Sequence, residues 1–248
     1  MKKVFYLIAF FWLIACNNDN APACFRAEGT FIQTEVNVST FTKILVNHKI
    51  QLFIEEGPEQ KVILETGENI LNEIEINVTD SILELKSNIG CNLVRDYGIT
   101  KVYVISPFIN EIRSSSEQIV SSIGVLTYPN LNILSEDSEN EEYYTDGDFN
   151  LELDVENLFI SANGYSNFFL KGSATNAQIG LYAGDSRVEA AELIIQDLNV
   201  FHRSTNKMIV NPQVSIIGEI RGLGDIISKN EPPLVDVTEY YTGSLIFE

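Results

Sequence analysis

Between Asn157 and Asn230 one short pattern recurs at nearly constant spacing, and it restricts the possible folds more than any other feature of the chain. Each unit is a brief apolar alternation, a cluster of Gly, Ser, Asn or Asp, and a second apolar run: Leu158 to Phe168, Ile179 to Val188, Leu198 to Met208, then Ile216 to Ile226. With Ala162, Ala183, His202 and Arg221 taken as equivalent points, the steps are 21, 19 and 19 residues. Strand-and-turn units of this length, without helical periodicity inside them, predict a solenoid of stacked β-strands. The same form begins earlier, at Ile109 to Ile119 and Leu131 to Ser138, where Ser114 and Ser135 are again 21 residues apart. The following step, Ser135 to Ala162, is 27 residues. Its extra length falls in the acidic stretch Glu136 to Asp148, so a loop is expected to protrude there. From Ile109 to Ser228 the chain has room for roughly six coils, which at the ~4.8 Å spacing of paired strands form a rod segment about 25–30 Å long. The predicted fold class is all-β: a parallel β-solenoid, β-helix-like, in a single domain with coils of about twenty residues.

Upstream of the repeats the pattern changes to period two. Ile50, Leu52 and Ile54 alternate with Gln51, Phe53 and Glu55, then Glu56-Gly57-Pro58-Glu59 signals a turn and Val62 and Leu64 begin a return strand. Ile74, Ile76 and Val78 alternate with polar residues, and Thr79-Asp80-Ser81 turns the chain into Ile82 to Lys86. A hairpin-like N-terminal part is expected. Glu68 to Glu73 is the one helix candidate, and a short one, while Lys101 to Ile105 is a strand ended by Pro107, which cannot donate to a ladder. Solenoid ends expose strand edges and need caps. The Cys24 to Cys91 region is the candidate cap at one end, and Pro232-Pro233 with Ser244 to Phe247 at the other. Leu151, Leu153 and Val155 alternate with Glu152, Asp154 and Glu156, which predicts one buried face and one solvated, anionic face.

The first fifteen residues read as an address. Lys2-Lys3 precede an apolar run, Val4 to Ile14, that is too short to span a bilayer, and Leu13-Ile14-Ala15-Cys16 ends it with a small residue before a cysteine. This ending resembles the lipobox of bacterial lipoproteins, in which the leader is cut before the cysteine and that cysteine, here Cys16, is acylated; an uncleaved N-terminal anchor is the alternative. The domain plan is a lipoprotein signal peptide over 1–15, a tether over 16–24 and one domain over 25–248. Several acyl chains hold a protein on a membrane stably, so the membrane is an expected partner through the lipid, and the expected location is the outer membrane, surface-exposed or periplasm-facing. Charge excludes another partner. The formal net charge of −19 becomes −21 once Lys2 and Lys3 leave, and so acidic a surface repels nucleic acid and anionic lipid heads. With Cys16 committed to lipid, an exported compartment permits Cys24 and Cys91 to pair. That bridge would close a 68-residue loop and contribute roughly 4 kcal/mol in the chain-entropy model; two separate thiols are the alternative.

Residues that could carry chemistry are few. His48 and His202 have no H-x-x-x-H or H-E-x-x-H pattern and no nearby cysteine pair, so a zinc motif is absent and both read as ordinary surface or strand-end residues. Gly184-Asp185-Ser186 has the look of an esterase nucleophile block, yet it lacks the following helix that such an elbow needs. Arg187, Arg203 and Arg221 read as comparable turn positions, and with the plentiful carboxylates they supply the ingredients of a glycan-cleaving β-helix. The short turns leave little room for a cleft. Seven acids between Ser135 and Asp148 offer the hard oxygens that calcium takes, with Glu142, Asp146 and Asp148 the candidate ligands, against the default of a solvated, mobile loop. Tyr143, Tyr144, Tyr165, Tyr182, Tyr240 and Tyr241 could stack on a sugar or peptide, although tyrosines on strands more often pack. No catalytic residue and no cofactor is assigned.

Several features stand in a telling order: Phe41 to Val46, Glu68 to Leu71, Leu83-Glu84-Leu85, Val102-Tyr103-Val104, the turn clusters at Ser114-Ser115-Ser116, Gly164, Gly184 and Gly222-Leu223-Gly224, and Thr242 to Leu245. In order and spacing they resemble the putative auto-transporter adhesin, head GIN domain family of exported Gram-negative proteins. Cys91-Asn92-Leu93-Val94-Arg95-Asp96-Tyr97 is similar to the Cys-Asn-x-x-Arg segment of a lipoprotein subset with an early cysteine such as Cys24. The resemblance covers Phe25 to Glu248. It implies a β-solenoid and a cell-envelope role labelled adhesion, and it brings no catalytic residues. Where the family has Ser-Gly-Ser-Gly turns this chain has Ser116-Glu117, Asp137-Ser138 and Arg203-Ser204, so less regular coils are expected. The leading expectation is a lipid-anchored adhesin or non-catalytic binding or structural module that meets an unidentified protein or glycan along a flat strand face or through the acidic loop. A periplasm-facing maintenance or sensing factor comes second, and a polysaccharide-active enzyme third.

Overall fold

The computed structural model describes residues 23–91, 93, 96 and 98–248. The leader, Cys16 and the tether up to residue 22 lie outside the described residues, as do four positions of the Cys91 to Tyr97 segment.

The repeat becomes a stack of rungs, each with a strand on two flanks. On the first flank β8 (Glu111–Ser115) pairs in parallel with β10 (Asn130–Ser135). The ladder continues through the C-terminal halves of β11 (Phe149–Ala162), β12 (Asn167–Leu181), β13 (Arg187–His202) and β14 (Met208–Ile220) to β16 (Leu234–Glu239). The second flank stacks β9 (Val120–Leu126), the N-terminal halves of the same four long strands, β15 (Ile226–Ser228) and β17 (Leu245–Phe247). Each long strand therefore closes one rung and opens the next. Every second side chain points inward, so like residues stack on like: Ile133, Ile160, Ile179 and Val200 on the first flank, Phe149, Phe168, Val188 and Met208 on the second, all within one core. The Phe149 and Phe168 rings lie 4.9 Å apart and 6° from parallel.

From Glu111 to Ser228 there are six rungs, as the spacing predicts. The registers differ in detail. The partners of Ala162 are Leu181, His202 and Ile220, giving steps of 19, 21 and 18 residues. Ala183 and Arg221 stand in turns just past the ladder, because a turn cluster marks where a strand stops without fixing which residue pairs last.

The N-terminal part carries the larger departure. β2 (Lys43–Asn47) and β3 (Ile50–Glu56) form a rung against β8 and β9 on one side and against β6 (Ile82–Ser87) and β7 (Thr100–Ser106) on the other, all in parallel. The chain thus builds the second rung first and returns later to fill the one outside it. The expected hairpin exists between β5 (Ile74–Thr79) and β6, where Asp80 and Ser81 take φ of 51° and 64°, the left-handed pair that a tight hairpin turn needs. No hairpin joins β3 to β4 (Lys61–Gly67), because β7 lies between them. Glu68–Glu73 is a 3-10 turn.

Antiparallel β4 and β5, with β1 (Phe31–Glu35) outside β4, close this end. Cys24 and Cys91 are joined in a disulfide with Cα atoms 4.8 Å apart, and Arg26 pairs with Glu73 at 3.0 Å. At the opposite end β16 and β17 form one more parallel rung rather than a cap. Among the described residues β16 has a pairing register only with β14 and β17 only with β15.

Candidate functional site

The alternation that buries Ile133, Ile160, Ile179 and Val200 turns their neighbours outward, so the exterior of the first flank consists of rows that run across the rungs. One row reads Glu111, Asn132, Phe159, Gln178, Asn199, Ile217. Glu111 is neutralised by Lys43 at 3.1 Å, and the five positions after it carry no charge. The neighbouring row is tied internally. Asn157 Nδ2 donates to Asn130 Oδ1 and Asn176 Nδ2 to Asn157 Oδ1, each at 2.9 Å, and Ser215 Oγ donates to Asp197 Oδ1 at 2.6 Å. By contrast, the amides of Asn132, Gln178 and Asn199 make no hydrogen bond to any described side chain. On the other side, the absence of a side chain at Gly180 seats the Tyr182 ring, since a Cβ there would lie 2.5 Å from it. Tyr182 stacks on Phe201 with centroids 5.0 Å apart. The result is a shallow trough of two depressions, about 360 and 510 Å³, which share Asn132 and Phe159.

One wall of the trough is the acidic loop, held down by a residue that the sequence reading passed over. Arg113, on an outward position of β8, is only 5 % exposed. Its Nη1 donates to Glu136 Oε1 at 2.7 Å and to the Glu136 carbonyl at 3.1 Å, its Nη2 reaches Glu139 Oε2 at 2.9 Å, and the Tyr143 ring lies 5.3 Å from the guanidinium carbon. Burial pushes the Glu136 carboxyl up, but hydrogen bonds from Ser138 and Arg113 outweigh it and hold Glu136 below the usual carboxylate range. The loop is exposed from Ser138 to Glu142, yet its base is clamped rather than free.

The calcium candidates are not gathered. Asp148 Oδ1 accepts from the Asn167 backbone N at 3.0 Å and from Nδ2 at 2.8 Å, and among the described residues no three His, Cys, Asp or Glu side chains come together around a possible metal position. His48 packs edge-on against Tyr144 at 4.0 Å. His202 ends β13 but is no surface residue: it is fully buried, and neither ring nitrogen has a hydrogen-bond partner among the described residues. Burial pushes its pKa down to about 4; the backbone of Asn206 and Gly224 offsets this in part, at a geometry short of a hydrogen bond. Ser186 is buried with its Oγ unpartnered among the described residues. Arg203 and Arg221 occupy equivalent corner positions, donating their backbone N–H to Leu181 and His202 carbonyls at 2.7 Å. Arg187 is different: it opens β13, on the far side of the turn. Of the tyrosines singled out, Tyr182 lines the trough, Tyr143 covers Arg113 and Tyr240 lies 4.0 Å from the Arg221 guanidinium carbon.

Residues 40–232 match the family model described as "Putative auto-transporter adhesin, head GIN domain". Among solved structures, a putative adhesin from Bacteroides fragilis superposes with a TM-score of 0.79 at 20% identity, over 90% of this chain and 99% of that one. A putative adhesin from Parabacteroides distasonis gives 0.62 at 14% identity, over 89% and 98%. A putative lipid binding protein from the same organism gives 0.61 at 14%, over 89% and 97%. At these identities the likeness is one of fold. No curated protein matches the sequence.

Proposed function

The chain belongs to the putative auto-transporter adhesin, head GIN domain family, and from that premise we propose that it works as an adhesin at the outer membrane, tethered through acyl chains on Cys16 and presenting the first-flank trough to its partner. The observation that carries this reading is the uncharged row Asn132, Phe159, Gln178, Asn199, whose amides are unpaired among the described residues on a rigid ladder, while the adjacent row is tied from Asn130 through Asn157 to Asn176 and again from Asp197 to Ser215. Fixed polar groups around apolar surface are what orient a ligand, and a solenoid supplies a long, stiff platform for them. The lipid tether rests on the short apolar run and the Leu13-Ile14-Ala15-Cys16 ending.

An enzyme on glycans finds little support in the same trough. Its one arginine with carboxylates is Arg113 with Glu136 and Glu139, and there the guanidinium is spent on holding the loop. A general acid needs a raised pKa, whereas Glu136 is held low.

The test uses cells that carry the full-length chain with an epitope after Glu248, treated with protease either intact or after lysis, and scored in parallel for attachment to a host-cell or matrix surface. Digestion of the epitope in intact cells, with attachment that falls on Phe159→Asp, is the expected result. Protection until lysis would remove direct adhesion and leave the periplasm-facing role.

A further inference from the structure

Resting on that reading, we infer that the trough takes an uncharged glycan whose chain runs along the solenoid axis. The chemistry of the row points there. A side-chain amide offers two donors and an acceptor on one planar group, which suits hydroxyls that must both give and receive. Asn132, Gln178 and Asn199 place three such groups around Phe159, and Tyr182 stacked on Phe201 adds a second apolar surface for the C–H face of a sugar ring.

Charge narrows the class. Glu136, Glu139 and Asp197 line the trough against the single guanidinium of Arg113, and the whole chain carries −19, so uronate, sialic acid or sulfate groups would enter against repulsion. Extended peptides are disfavoured for a separate reason. The first flank is a continuous ladder at these rungs, so the trough offers no unpaired strand edge for a peptide to join. Direction follows from repetition: rungs ~4.8 Å apart present the row at close to the repeat of one sugar in an extended polysaccharide, so neighbouring rungs address successive residues.

The experiment applies the labelled full-length chain, in detergent, to an array of neutral, uronate-containing and sialylated oligosaccharides, with matched wells of deglycosylated protein. Retention confined to neutral glycans is expected. Gln178→Ala and Asn199→Ala should each weaken it by about three- to tenfold, the range for losing one hydrogen bond, while Asn150→Ala on the second flank leaves it unchanged. Both amides are exposed, so their loss should leave the melting temperature unchanged. Retention only on acidic glycans or only on deglycosylated protein, indifference to both amide variants, or no retention of any neutral glycan overturns the proposal. Cells that attach through the trough to a deglycosylated surface would leave the adhesin reading standing and remove the glycan alone.

Discussion

Replacing Arg113 by Met tests whether the acidic loop is clamped in the way the geometry describes. The methionine keeps most of the aliphatic stem but leaves Glu136, whose side chain is 10 % exposed, as a charge without its counter-ion. Removing one partner of a buried ion pair costs about 3–5 kcal/mol because the survivor stays desolvated. The second partner adds little: Glu139 is 71 % exposed, and such pairs contribute at most about 1 kcal/mol. For a domain of this size about 3 kcal/mol corresponds to a fall of roughly 6–12 °C in melting temperature. Circular-dichroism melts at pH 7 measure it, and limited proteolysis between Ser138 and Glu142 reports whether the loop has lifted. Adding Glu136→Gln removes the orphaned charge yet keeps an acceptor for the Ser138 N–H, which lies 2.9 Å from the carboxylate, so the double variant should recover most of the loss. Acidity supplies an internal control. Because Glu136 is held below its ordinary value of 4.5, the pair stabilises fully above that pH and progressively less as pH falls through the depressed value. The gap between wild type and Arg113→Met should therefore narrow below pH 4.5. A single variant within about 1 kcal/mol of wild type at pH 7, or a double variant no better than the single, would refute the clamp.

Three further outcomes follow from the core and its fastenings. Phe168→Ala leaves a void against Phe149 at a fully buried position and should cost about 3–5 kcal/mol in denaturant unfolding. His202 has a folded pKa of about 4 against an ordinary 6.5, so the unfolded chain takes up the proton first and stability falls as pH drops from 6.5 toward 4; His202→Gln should flatten that slope in melts across the window. Reduction of Cys24–Cys91 frees a 68-residue loop and should lower stability by about 2–4 kcal/mol, with dithiothreitol moving the wild-type melt and leaving Cys24→Ser/Cys91→Ser unmoved.

The solenoid was legible because burial on one face of each strand imposes period two, and stacking imposes a second period near twenty; both are written in local sequence. The order of rungs was not. Nothing in Phe41 to Glu56 says that Ile82 to Ser106 will later pair outside it, since a strand buried between two parallel neighbours shows the same alternation whichever neighbour comes first in the chain. The C-terminal rung was misjudged for a related reason: Pro232-Pro233 marks a break before Leu234, but a break precedes a new rung as readily as a cap. Less regular turns were expected where Ser116-Glu117, Asp137-Ser138 and Arg203-Ser204 replace the family's glycines. The ladders between β9 and β11, β12 and β13, and β13 and β14 do shift register, while buried serines stitch the corners, with Ser135 and Ser166 hydroxyls 2.6 Å apart and Ser204 Oγ donating to the Ser186 carbonyl at 2.7 Å.

The candidate site lay further from view because it depends on register as well as on residue type. Asn157 and Asn176 stand one repeat apart and could be seen to stack, but Gln178 and Asn199 join the row of Phe159 only once the steps of 19 and 21 residues are known. An odd error in either step turns the wrong set outward, as the one-residue misplacement of Arg221 illustrates. Arg113 reads as an ordinary surface arginine until the loop folds over it, an event with no local signal. Composition misleads in the same way. An acidic chain suggests an acidic binding surface, yet Glu152, Asp154, Glu189 and Glu192 all lie on the second flank, where Lys171 and Arg187 offset only part of their charge. Five rungs of the first flank are neutral along one row, from Asn132 to Ile217, and on the reading proposed above this row, set inside an acidic chain, is the surface a partner would meet.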